Sequence, residues 1–192
     1  MFLHVTNYIR KPLEPLEDMK AIVKLKHWQV LLILVAPMLI LIENLMISKL
    51  IPIFSFCFFF FWMFSIGFVL SREILKNDHR NMTYYIISHI CAVLILLTLY
   101  GIEIDYMLNY EYYFDKSKLL PAWAEALLML YALWSTIYIF YFTARTISLS
   151  NIQVNPEADS TTVNYFFGFW FYLIGIWFIQ PKVKEILSEK GL

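Results

Sequence analysis

Residues 51–70, IPIFSFCFFFFWMFSIGFVL, run for 20 positions without an Asp, Glu, Lys, Arg or His. A helix needs about 20 apolar residues to cross the hydrocarbon core of a bilayer. Strands of a membrane barrel are about 10 residues long and alternate polar with apolar residues. This run is unbroken from Phe56 to Met63 except for Cys57. It therefore reads as a transmembrane helix, which satisfies its own backbone hydrogen bonds inside lipid.

Composition points the same way. Of 192 residues, 60% are hydrophobic, 19% aromatic and 16% charged. A soluble domain is roughly 45–50% apolar and about 25% charged. The excess needs a home other than water. Zero net charge leaves no basic footprint for nucleic acid, and the aromatic content excludes a disordered chain.

Working outward, three further runs have spanning length: 28–47, 85–104 and 121–144. A fifth segment, 163–180, is aromatic, near the lower length limit, and ends at Gln180-Pro181. The expected fold is all-α: a single helical membrane domain over 1–192, with four transmembrane helices plus this fifth segment. Ser48-Lys49-Leu50 is expected to be a tight loop closing the first two spans into a hairpin. Pro52 and Pro121 are placed in first helical turns, where a missing N–H costs little. Pro37 predicts a kink. Residues 71–84, 105–120 and 145–162 read as polar connections, with Thr161 or Thr162 available to cap the last segment. Within the tail 1–27, residues 14–26 carry Leu16, Met19, Ile22 and Val23 at helical spacing opposite Glu17, Asp18, Lys20 and Lys24. That is the pattern of a helix lying in the headgroup region. The tail holds no short apolar core with a small-residue cleavage site, so no signal peptide is expected.

Lys and Arg in short loops favour the cytoplasmic side. With the N-terminus inside and five spans, nine of the 15 basic residues lie inside and six outside. If the fifth segment does not cross, twelve lie inside and three outside. The second arrangement fits better, so the segment is read as re-entrant or interfacial, with a short span as the alternative. Gly168 and Gly175 within it would admit a close neighbour or let the segment bend.

The candidate polar residues are Glu43, Asn44, Glu103, Asp105, Glu125 and His89. Ionisable groups in spans are costly and are functional candidates by default. In the four-span topology the four acids share the outer depth. They form either a cation-binding vestibule, since hard cations take oxygen ligands, or simply the wet ends of helices, where Glu125 also complements a helix dipole. His89, five residues into the third span, is either a proton-handling group or a hydrogen-bonded structural histidine. Cys57 and Cys91 form no CxxC pair. The histidines have no metal spacing, and there is no Gly-rich phosphate loop, HExxH or GxSxG. No catalytic, cofactor-binding or metal site is predicted.

Leu25-Lys26-His27-Trp28-Gln29 and Gly175-Ile176-Trp177-Phe178-Ile179-Gln180-Pro181-Lys182 together resemble an uncharacterised family of small multipass membrane proteins of bacteria. The resemblance implies a bacterial plasma membrane, and implies that the terminal aromatic block and its Gln-Pro stop are one unit. It brings no activity or site.

Three functions compete. The first is a non-enzymatic accessory or interaction subunit, with the bilayer and other membrane subunits or further copies of itself as partners. The second is a small cation or proton transporter or channel subunit using the outer acids. The third is a lipid-directed enzyme with Glu103, Glu125 and His89 as acid–base groups.

Overall fold

The computed structural model describes residues 14–39, 45–75, 79–108, 121–157 and 161–192. They contain helices and no strand, so the described part of the chain is all-α. The helices are α1 (Glu14–Val23), α2 (His27–Leu39), α3 (Leu45–Leu70), α4 (His79–Leu108), α5 (Ala122–Val154), α6 (Thr162–Trp170) and α7 (Tyr172–Glu189). Ser71–Leu75 extends α3 as a π-helical turn.

Helix α1 matches the expected amphipathic segment. Val23 is buried and Met19 and Ile22 are half-buried, while Asp18, Ala21 and Lys24 are exposed. Residues 24–26 turn the chain into α2, where the Lys26 amide donates to Gln29 Oε1 at 2.8 Å.

The structure corrects four boundaries. Ser48-Lys49-Leu50 is not a loop; it lies inside α3. None of the three is a helix breaker, and lysine is a good helix former. Pro52 accordingly falls inside the helix instead of in its first turn. The polar stretch 71–84 is largely helical, with the π-helical turn at one end and α4 beginning at His79. Helix α5 does not stop at Ala144 but continues to Val154, because Ile147, Ser148, Ser150 and Asn151 are buried in packing that includes the π-helical turn. Finally, Gln180-Pro181 does not end the last segment. Helix α7 runs on to Glu189, held by a buried stripe of Val183, Ile186 and Leu187 at helical spacing. Pro121 is the residue before α5, and Thr161 occupies the cap position of α6 without a side-chain cap hydrogen bond.

Helix α3 is the hub. Phe60, Trp62, Met63, Ile66 and Leu70 are almost wholly buried, and α3 packs against α1, α2, α4 and α5. The contacts fix its direction relative to its neighbours. Near the start of α4, Tyr85 meets Met63 of α3 and Thr143 of α5. Further along α4, His89 faces Phe60, three residues back along α3. Helices α3 and α4 are therefore antiparallel.

Among the described residues, two helices are long and apolar enough to cross a membrane, by length and composition: Leu50–Leu75 and Ala126–Val154. The apolar stretches on the other two long elements, His27–Pro37 and Met82–Thr98, are shorter among the described residues. Much of α5 carries large apolar side chains on its outside, with Trp134 69% and Leu130 62% exposed.

The fifth segment is not one helix. It breaks at Phe171 (φ −98°, ψ 55°) between α6 and α7. In a straight helix, residues seven apart stand about 10.5 Å apart along the axis. Here a Cβ added to Gly175 would collide with the Gly168 carbonyl. The two helices thus fold sharply on each other, with the glycines at the inside of the bend.

Candidate functional site

Two polar nodes hold the described helices together. The first is built on Tyr85. Its hydroxyl lies 2.9 Å from the Met63 carbonyl, to which it donates, and 2.9 Å from Thr143 Oγ1. With Tyr85 donating to the carbonyl, Thr143 is left to donate to the phenol oxygen. One hydroxyl thereby ties α3, α4 and α5. Gly67 makes room for it, because a Cβ there would overlap the Tyr85 hydroxyl. Phe64 and Phe142 stack on the ring at centroid distances of 5.8 Å and 4.2 Å.

His89 sits one turn along α4 from Tyr85 and is buried. Its Nδ1 lies 3.1 Å from the Tyr85 carbonyl. The Tyr85, Phe64 and Phe60 rings surround it at 4.3, 5.1 and 6.2 Å. Among the described residues, its Nε2 has no hydrogen-bond partner.

The second node is built on Gln180 of α7, which is fully buried. Trp62 Nε1 donates to Gln180 Oε1 at 2.9 Å. Gln180 Nε2 donates to the carbonyls of Val23 and Leu25, each at 2.6 Å. An indole N–H and a primary amide both need partners when buried. Here they satisfy each other, and the amide's remaining donors reach the carbonyls where α1 ends and the chain turns. His27 packs its ring on Trp177 with centroids 4.4 Å apart. The two terminal sequence blocks, 25–29 and 175–182, are therefore in direct contact. Beside them Lys20 pairs with Glu73 of the π-helical turn at 3.4 Å.

Of the six sequence-predicted polar residues, only His89 has a described side chain. Glu43 and Asn44 lie outside the described residues. Glu103 and Asp105 lie on α4 and Glu125 on α5, but their side chains are outside the described part. Helix positions still separate them from His89. Glu103 is 14 residues further along the continuous helix α4, about 21 Å away at 1.5 Å per residue. Glu125 precedes Thr143, the α5 residue at the level of Tyr85, by 18 residues of one helix; α4 and α5 run antiparallel, with Cys91 beside Tyr131, so His89 lies at least one turn nearer, about 21 Å or less from Glu125 along the axis. The gap to Glu103 is too long for a side chain of His89 to bridge directly. Among the described residues, no three His, Cys, Asp or Glu side chains converge as metal ligands. A crevice of about 10 Å³ between α3 and α4 is lined by Ile53, Phe56, Cys57, Val93, Leu96 and Leu97. It has room for about one water and offers that water no polar side chain.

Sequence reasoning missed Trp62, Tyr85 and Thr143, and took Gln180 as a stop signal. One cue was present: a glutamine inside an aromatic helix is costly unless paired. Nothing local identified its partners, which lie 118 and more than 150 residues away.

No family model matches the chain, and no curated protein and no solved structure matches it.

Proposed function

We propose that this chain is a small multipass protein of a bacterial plasma membrane, acting as a non-enzymatic accessory or interaction subunit. In this reading α2 to α5 are four spans, with the N-terminal helix on the cytoplasmic side. The folded pair α6–α7 enters the membrane from that side and returns to it. The contacts of Gln180 with Val23 and Leu25 support a common side for α1 and the end of α7.

The observation that carries the proposal is the outer surface of α5. Leu127, Leu130, Leu133 and Trp134 are all more than half exposed on a helix of spanning length. In water such a continuous apolar face is rare without a partner. In a bilayer it meets lipid or the helices of other subunits at no cost. The buried polar groups Tyr85, Thr143, Trp62 and Gln180 are used as ties between helices, which is how polar residues serve membrane bundles. The test is purification in mild detergent with mass measurement of the intact particle. A partner at fixed stoichiometry, lost on Leu130→Ala with Trp134→Ala, supports the reading. A monodisperse particle containing one copy of this chain alone overturns it.

A further inference from the structure

We infer that Gln180 is a latch that holds α1 down as a strap on the folded C-terminal pair α6–α7. Three features separate the latch from ordinary packing. First, the polarity is divided: Oε1 takes the Trp62 indole proton, which seats α7 on α3, whereas Nε2 spends both its protons on the strap, at Val23 and Leu25. Second, the two carbonyls flank the point where α1 ends and the chain turns. The Leu25 amide bonds to Ile22 and the Lys24 amide to Lys20, so the turn is already closed internally, and Gln180 supplies acceptor partners, not the turn itself. Third, the rest of the strap's hold lies along α1 itself: Val23 is buried and Met19 and Ile22 are half-buried against the core, and Lys20 pairs with Glu73 at 3.4 Å in a mostly buried ion pair.

Losing the two donors of Gln180 therefore takes these partners from the carbonyls at the end of α1, while the packing of α1 on α3 remains. Losing the Trp62 bond leaves the strap in place. Gln180 is thus a positioning residue for α1, coupling the N-terminal helix to the C-terminal pair across the length of the chain. These contacts are internal to the chain and do not depend on which membrane face carries the strap or on any partner.

The test uses the full chain with Cys57→Ala and Cys91→Ala, and Val23→Cys as a reporter at a buried position. Labelling by a small water-soluble thiol reagent is timed in detergent. Gln180→Leu should raise the labelling rate about tenfold or more, the effect of losing two typical hydrogen bonds. Trp62→Phe should leave the rate within about threefold of the parent. Size-exclusion profile and helical circular dichroism establish that each variant is folded. If Gln180→Leu does not fold, Gln180→Glu at alkaline pH takes its place, keeping an acceptor for Trp62 while losing both strap donors. A parental rate in the folded Gln180 variant, or equal acceleration by Trp62→Phe, overturns the inference.

Discussion

Trp62 and Gln180 are 118 residues apart in the chain and 2.9 Å apart in space, donor to acceptor, with both side chains fully buried. This bond joins the hub helix α3 to the last helix, and the same amide reaches back to the first. The structure is closed end to end through one side chain.

Trp62→Phe should lower stability by about 1–3 kcal/mol, since it leaves Gln180 Oε1 buried without a donor. Gln180→Leu with Trp62→Phe should recover part of the loss attributable to the orphaned oxygen, because both polar partners are then gone. Unfolding titrated with a denaturing detergent measures both. Equal stability of Trp62→Phe and the parent would show that the oxygen finds another donor.

Gly67→Ala should destabilise the bundle by about 1–3 kcal/mol through overpacking. The new methyl group competes for the space of the Tyr85 hydroxyl, breaking the tie between α3, α4 and α5. Adding Tyr85→Phe removes the hydroxyl, so the two changes should be less than additive. Strict additivity in a double-mutant cycle contradicts this account.

Gly175→Ala and Gly168→Ala should differ sharply. A Cβ at Gly175 runs into the Gly168 carbonyl, which is backbone and cannot step aside. A Cβ at Gly168 instead meets the end of the Ile179 side chain at 3.0 Å, which can change rotamer. Gly175→Ala should open the bend between α6 and α7 and broaden the size-exclusion profile. Gly168→Ala should stay near parental, within about 1 kcal/mol. Equal behaviour of the two would mean that the bend is not set by this contact.

Single cysteines at Glu17 and Lys190, in the cysteine-free background, should react with an impermeant maleimide from the same side of intact vesicles. In the proposed topology the α6–α7 pair returns to its side of entry. Labelling from opposite sides would make the fifth segment a span.

The fold was legible in the sequence to the extent that its signals are local. The run 51–70 announced a helix, and the spacing of Met19, Ile22 and Val23 announced an amphipathic one, because helix formation depends on neighbours within a few residues. Helix ends were less legible. The polar residues 145–154 look like a loop in isolation and are helical because Ser148, Ser150 and Asn151 find a buried place. Among the candidate site residues, only His89 has a described environment, and its aromatic cage comes from three turns of two helices that no spacing rule links.

By itself, the sequence determined the material, long apolar helices, because apolar area and backbone hydrogen bonding are summed along the chain. Tertiary structure alone decided that the fifth segment folds back on itself at Phe171. Gly168 and Gly175, seven residues apart, suit a smooth helix face or a fold equally well. The difference lies in the Phe171 torsions and in the pull of Val23, Leu25 and Trp62 on Gln180. Those partners are remote in sequence, and a hydrogen bond depends only on distance and direction in space.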